Sequence, residues 1–443
     1  MTVAFLPPLL PTLLGGMASF LQARSAWRLA VLSLGLLFAQ GQRRTITSWL
    51  RAASAQVDFP AFYYFLGSLG RHAARPAAYL LQRLLQELPA ETSIRFAIDD
   101  SPTQRYGPKV QGAGVHHNPS PGPADAPFLY GHLWVTLALV VCHPRWGVLA
   151  LPLRSLLYIR HKDLPKVPAW CRPPFRTKLE LAAALIGWAV GLTQFTGRSL
   201  LALVDGAYAK KPFRRAAQQA GVTVISRLRR DAGLRHLPRP RPPGQRGRPA
   251  VYGSRAIRLA LRAAQTRGWQ TVRVRPYGRD QDQTIKTFEA TWRPVGGRLR
   301  VVLVQEEDDW LAWFSTDPEM AAAEILRGAA DRMTIEQDFH DLKEVEGWGQ
   351  PQLRNLHANL GATQLTLWEF SLVELWAWDQ PEENLVDRTA SPWDDPRRRP
   401  SHADKRKALQ RWCLQQEFRQ VCHGRPLDQE IEQFIVRLLD RAA

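Results

Sequence analysis

The 443-residue sequence predicts an α/β fold built on a mixed sheet, and three observations predict it. Three apolar, β-rich runs come first, at residues 94–99, 131–141 and 146–159. A helical pattern at 176–190, a strand at 199–204, a helix at 211–220 and a strand at 222–227 follow, an alternation that implies parallel connections. Apolar residues at three and four spacing dominate residues 17–90 and return at 355–378 and 405–439, so both ends of the chain are helical. Three antiparallel strands followed by helix, strand, helix and strand is the plan of a ribonuclease-H-like core.

The elements follow in order. Residues 5–21 and 29–38 are apolar, but Pro7, Pro8, Pro11, Gly15 and Gly16 break the first run. The second is too short to span hydrocarbon and is bounded by Arg28 and Arg43, so both are read as buried helices and no membrane partner is expected. No basic run follows Met1, which argues against a signal peptide. Residues 1–90 are therefore assigned to a helical DNA-binding domain. Within it, residues 41–51 look like a turn feeding a short helix that presents Arg43, Arg44, Thr45, Thr47 and Ser48, which suits either a helix-turn-helix or an ordinary solvated helix. Residues 91–227 form the first part of the core, with a glycine- and proline-rich loop at 101–127 and a turn at His143-Pro144-Arg145. Residues 228–316 interrupt it as a β-rich insertion that opens on a basic linker at 238–248 and carries strands at 271–275, 284–292, 299–305 and 310–315. Residues 317–378 resume the core, and 379–443 make a polar linker and a helical C-terminal segment.

Charge narrows the function. Fifty-nine Lys and Arg against 40 Asp and Glu give +19, which calls for an anionic partner, nucleic acid first among them. Four cysteines without paired spacing exclude a disulfide scaffold and a structural zinc site, and they place the chain in a reducing cytoplasm.

The chemistry is concentrated at residues 332–343. Arg332 and Glu336 are four apart and Lys343 seven further on, so one helix face carries an acid between two cations. Upstream, Asp99-Asp100 and Asp205 each close a short apolar strand. Two strand-end aspartates and a helix-borne glutamate on a basic chain point to metal-dependent phosphodiester chemistry. Asp99 and Asp100, adjacent on a strand, face opposite ways, so only one of them belongs to such a set.

These segments resemble the DDE-type insertion-sequence transposases, specifically the 701 group of the insertion-sequence 4 clan. The resemblance is carried by Ile98-Asp99-Asp100-Ser101 through Gly107, by Val204-Asp205-Gly206-Ala207-Tyr208-Ala209-Lys210, and by the Glu336 helix through Asn355. It implies Asp100, the aspartate before the serine, as the first metal ligand, Asp205 as the second and Glu336 as the third, holding Mg²⁺ or Mn²⁺. The arginine, glutamate and lysine of the clan's helix fall on Arg332, Glu336 and Lys343, whereas its tyrosine position is Ala329. The implied activity is cut-and-paste transposition: cutting double-stranded DNA at terminal inverted repeats and joining the 3′ ends to target DNA, with a homodimer bringing two ends together. The alternative is a domesticated DNA-binding protein of the same fold without strand transfer. Arg332 and Lys343 are expected to hold the phosphate beside the acids, with Arg43, Arg44, Arg105 and Lys210 as further DNA contacts. His116 and His117 are neighbours, and adjacent residues rarely chelate one ion, so a phosphate-contacting or loop-fixing role is expected of them rather than a zinc site. Among 16 tryptophans, Trp292 and Trp310 are the candidates for packing against a flipped base or a hairpin end.

Overall fold

The computed structural model describes residues 23–39, 43–55, 58–118, 126–240, 246–274, 280–307, 309–388 and 393–421. Four helices open it: α1 (Ala23–Phe38), α2 (Ile46–Ala52), α3 (Phe59–His72) and α4 (Ala74–Glu87). The apolar run at 29–38 is the buried α1, as expected, and the run at 5–21 lies outside the described residues. Thr45 caps α2 by accepting the Ser48 N–H at 3.2 Å, and the helix buries Ile46, Trp49 and Leu50 while Thr47 and Arg51 face solvent.

The core sheet begins with β1 (Ser93–Gln104), β2 (Gly114–His117), β3 (Phe128–His143) and β4 (Gly147–Tyr158), all paired antiparallel around β3. After α5 (Lys178–Thr193), β5 (Ser199–Val204) pairs parallel with β1. After α6 (Phe213–Gln219), β6 (Val222–Arg227) pairs parallel with β5. This is the mixed α/β plan read from the sequence, a ribonuclease-H-like core with helical N- and C-terminal regions. One difference bears on the site: β1 does not stop at Asp99 but continues five residues further, four of them in the expected loop, so both aspartates sit mid-strand.

The expected β-rich insertion is present and its sheet is continuous with the core. Two two-residue strands, β7 (Leu234–Arg235) and β8 (Ala256–Ile257), and the helix α7 (Leu259–Ala264) precede β9 (Gln270–Val274), β10 (Gln281–Trp292), β11 (Gly297–Gln305) and β12 (Trp310–Ser315). β12 pairs antiparallel with β6, giving the order β2-β3-β1-β5-β6-β12-β11-β10-β7-β8, with β4 on β3 and β9 on β10.

Both faces of the core sheet are covered. Phe96 and Ile98 of β1 pack under the N-terminal helices, α5 and α6; Ala97, with Leu201, Leu203 and Ile225, packs under α8 (Ala322–Arg332) and α9 (Thr334–Glu344). α5 is long and apolar enough to cross a membrane, yet Leu181, Ala182, Leu185, Ile186, Ala189 and Val190 are buried in the first of these layers. α10 (Leu356–Ala377) is predominantly apolar and buried almost throughout, as suits a helix at the centre of a protein. It runs along β4, whose outer edge would otherwise expose unpaired carbonyls. Gln364, Trp368 and Ser371 donate to the carbonyls of Ser155, Leu153 and Pro152 at 2.8, 2.9 and 2.7 Å. On its other side α10 crosses α3 at Gly70 and Gly361, so closely that a Cβ at either would meet backbone oxygen of the other helix at about 2 Å. The short α11 (Glu382–Leu385) and the C-terminal α12 (His402–Val421) complete the described chain. α12 starts three residues before the expected helical segment, and residues beyond 421 lie outside the description.

Candidate active site

Strand parity decides which side chains meet. Ala97 and Asp99 share the β1 face covered by α8 and α9, and Ile98 and Asp100 share the opposite face. β5 runs parallel beside β1 with Ile98 opposite Val204, so Asp205, the next residue, leaves the strand end alongside Asp99. Its carboxylate accepts the Ala207 N–H at 3.2 Å, and its carbonyl accepts the Tyr208 N–H at 2.9 Å, which fixes the turn that carries it.

The third acid arrives from α9. α8 ends at Arg332 and α9 begins two residues later, so Arg332 and Glu336 straddle the junction. Arg332 Nη1 donates to Asp99 Oδ2 at 3.0 Å and Nη2 to Glu336 Oε1 at 2.9 Å. One guanidinium thus joins the helix acid to a strand acid 233 residues before the arginine. The preceding residue, Asp331, is fully buried and pairs with Arg95, which also bonds Glu91 at 2.6 Å. Arg95 and Asp99 lie on one face of β1, so the end of α8 is pinned at two points of the same strand. Arg332 retains 10 % side-chain exposure and Glu336 47 %, which puts the solvent mouth of the site on the Glu336 side.

Electrostatics follow from crowding. Burial pushes the Asp99 carboxyl up to about 7, with the charges of Asp100 and Asp205 adding to it and Arg332 and the Asp100 N–H opposing it. Among the described residues no three His, Cys, Asp or Glu side chains form a ready-made metal cluster. Asp99, Asp205 and Glu336 nevertheless supply only hard carboxylate oxygens, the donor type that Mg²⁺ or Mn²⁺ takes, and their mutual repulsion is offset here by Arg332.

Asp100, expected to join Asp205 and Glu336, points the other way. Its Oδ2 accepts Lys178 Nζ at 2.7 Å and its Oδ1 accepts the Tyr208 hydroxyl. Burial, and then the charge of Asp100, holds the Tyr208 phenol well above its ordinary range.

The basic residues expected at DNA divide into two groups. Arg332 sits in the site, and Lys343 is half-buried two turns beyond Glu336, its pKa lowered by burial. Arg43 is exposed and stacks over Tyr106 at 4.8 Å, and Lys210 is exposed just after the Asp205 turn. Arg44 and Arg105 are structural instead. Arg44 donates to the carbonyls of Ala39 and Val345, and its own N–H donates to Gln350 Oε1 at 2.8 Å. Arg105 is buried, bonds His132 Nδ1 at 3.0 Å and the Gly349 carbonyl, and is pushed down to about 10 by burial. His117 is exposed against Phe128, whereas His116 is buried, and burial with the charges of Arg160 and Lys178 lowers it to about 4, so it carries no positive charge for a phosphate. Trp292, half-buried, packs edge-on against Phe314 at the margin of the insertion's core, and Trp310, also half-buried, lies under Arg230.

Lys178, Tyr208, Arg95 and Asp331 were not foreseen. Two of them left a signal. Thr177 and Glu180 form a reciprocal capping box that marks Lys178 as the first residue of α5, and Tyr208 is a lone aromatic three residues after a strand-end aspartate.

Residues 17–295 match the family described as DDE superfamily endonuclease, well over half of the chain. The matched span contains Asp99, Asp100 and Asp205 and ends before Arg332 and Glu336. No curated protein matches the chain.

Proposed function

The chain belongs to the DDE superfamily endonucleases, nucleases that act on DNA with divalent metals, and we propose that it is a cut-and-paste DNA transposase whose metal ligands are Asp99, Asp205 and Glu336. The observation that carries the ligand set is the Arg332 guanidinium, which bonds Asp99 and Glu336 together on the face where Asp205 emerges. Asp99 thereby takes the place that the motif alone gave to Asp100. A divalent ion held there supplies Lewis-acid stabilisation of charge on the phosphate. The protein's own residues do the rest. Asp99 lies within β1 and Asp205 one residue past the end of β5, the parallel strand beside it, so the two backbones leave the sheet side by side. Arg332, nine-tenths buried and already committed to two carboxylates, is the planar donor fork next to the position of a scissile phosphate. Lys343 adds a point charge further along the same helix. Arg43 and Lys210, both exposed, are the remaining candidates for backbone phosphates.

In this reading the substrate is the pair of terminal inverted repeats flanking the coding region, and the product is a 3′ end joined to target DNA by a dimer acting in the cytoplasm. Placement in the 701 group rests on the Asp-Asp-Ser, Asp-Gly-Ala-Tyr and Arg332-Glu336-Lys343 segments. The test pairs a gel shift with a cleavage assay on a duplex bearing the element end. Asp99→Asn, Asp205→Asn and Glu336→Gln should each lower cleavage by about a thousandfold or more, some 4 kcal/mol of barrier, and leave end binding intact. Unchanged cutting by any of the three would end the assignment.

A further inference from the structure

We propose that Asp100 is a positioning residue that aims Asp205 by clamping the Tyr208 hydroxyl and the Lys178 ammonium on the far face of β1. The proposal rests on the reading that Asp99, Asp205 and Glu336 hold the metal.

Three observations carry it. First, the direction of Asp100 is not adjustable: bringing it to the Glu336 face requires a one-residue slip of β1, which would also expel Phe96 and Ile98 from the core beneath the N-terminal helices. Second, both of its oxygens are occupied, Oδ2 by Lys178 Nζ at 2.7 Å and Oδ1 by the Tyr208 hydroxyl. Each oxygen keeps a further lone pair, so these two bonds do not exhaust the carboxylate; they orient it, and they aim it away from Glu336. Third, Tyr208 is 2 % exposed and belongs to the same turn as Asp205. Its N–H donates to the Asp205 carbonyl at 2.9 Å, and its carbonyl accepts the Lys210 N–H at 2.7 Å. Ala207 between them donates to the Asp205 carboxylate. Fixing the Tyr208 ring therefore fixes the turn, and the turn fixes the Asp205 side chain. Lys178 ties the same carboxylate to the first residue of α5, whose start is set by the Thr177–Glu180 box. The adjacent aspartates thus divide the work between the two faces of one strand: Asp99 meets the metal, and Asp100 holds the second ligand in place.

The experiment compares full-length Asp99→Asn, Asp100→Asn, Asp100→Ala and Tyr208→Phe, reading Mn²⁺ binding by electron paramagnetic resonance alongside the Mn²⁺ dependence of cleavage on the element end. Outer residues that orient a ligand typically contribute about 10–100-fold to metal affinity, so Asp100→Ala and Tyr208→Phe should each raise the Mn²⁺ midpoint by about that factor. Combining them should raise it little further, because both break one linkage. Asp100→Asn keeps an oxygen acceptor for Tyr208 and should bind Mn²⁺ more tightly than Asp100→Ala and retain cleavage that Asp99→Asn has lost. An Asp100→Asn protein as inert and as metal-free as Asp99→Asn makes Asp100 a ligand and overturns the proposal. Unchanged Mn²⁺ midpoints in both Asp100→Ala and Tyr208→Phe overturn it as well. If Asp100→Ala does not fold, the near-isosteric Tyr208→Phe carries the test alone. Failure of the underlying reading looks different: Asp99→Asn would keep both its Mn²⁺ and its cutting.

Discussion

Two charged clusters hang from opposite ends of the same helix, and they are built on opposite principles. At the start of α9, Glu336 shares Arg332 with Asp99 beside Asp205 and Asp100, so acids outnumber the cations around them and one end is open to solvent. Just past its end, Glu346 enters a sealed knot. His402 bonds Glu346 and Glu374 at 2.8 Å each, Lys405 pairs with Glu374, and Arg406 reaches both Glu346 and the Leu36 carbonyl of α1. The pKa directions separate the two. Burial raises Glu374, but Lys405 and His402 outweigh it and hold it at about 2, whereas Asp99, with less counter-charge, is pushed up to about 7. Where the knot runs out of cations, at Glu369 and Asp338, burial drives the carboxyl upward again. Matched charge locks geometry, and unmatched acid is a demand for a cation. The first arrangement fastens the C-terminal helix to α10 and the N-terminal helices; the second suits a metal centre.

The strongest way to break this comparison is to unbalance the knot. Lys405→Met leaves Glu374 buried without its ammonium, and removal of one partner of a buried pair typically costs about 3–5 kcal/mol. Denaturant unfolding should show that loss, while the conservative Asp99→Asn should show nothing of the kind; equal losses would erase the distinction. The pH response sharpens it. Glu374 titrates lower in the folded state than in the unfolded, so its contribution is present above about 4.5 and disappears as pH falls toward 2. His402 is the opposite case. Burial lowers it, the bonds to Glu346 and Glu374 more than compensate, and a raised histidine stabilises fully below about 6.5 and is lost as pH rises through its folded value. Melting temperature against pH should therefore fall on both flanks, and the acid flank should begin at higher pH in Lys405→Met.

Much of the site was legible because it is local. Arg332, Glu336 and Lys343 announce themselves by helical spacing, and the strand-end acids by the apolar runs before them. The choice between Asp99 and Asp100 was not legible, because β1 is apolar on both faces: Phe96, Ala97 and Ile98 are all buried, and a strand covered on both sides shows no alternation from which to read direction. Only the helices packed above and below distinguish the two aspartates. Arg44 and Arg105 illustrate a second limit, since an arginine that donates to buried carbonyls and one that faces solvent leave the same letter in the sequence. The knot is illegible for the same reason as the strand parity. His402 finds Glu374 and Glu346 at 28 and 56 residues' distance, and nothing near residue 402 marks either partner.

A divalent cation should separate the clusters next. Mn²⁺ at a hundred times its dissociation constant stabilises the form that binds it by about 2.7 kcal/mol. The native protein should melt higher with Mn²⁺, and Glu336→Gln should lose most of that rise, whereas Lys405→Met, although less stable at the outset, should gain as much as the parent. A rise that follows the knot variant and ignores Glu336→Gln would place the cation demand at the wrong end of α9.

The smallest effect is the most diagnostic. Without metal, Asp99 binds its proton more tightly folded than unfolded, so between about 3.8 and 7 the native state holds the extra proton and stability declines as pH rises, levelling above 7. Asp99→Asn deletes that decline, and metal-free melting curves from pH 5 to 8 should be flatter for the variant than for the parent. Adding Mn²⁺ should reverse the slope in the parent alone, because binding requires the carboxylate and strengthens as the proton leaves. Parallel slopes for parent and variant would mean that Arg332 already balances Asp99, and the site would then resemble the knot rather than oppose it.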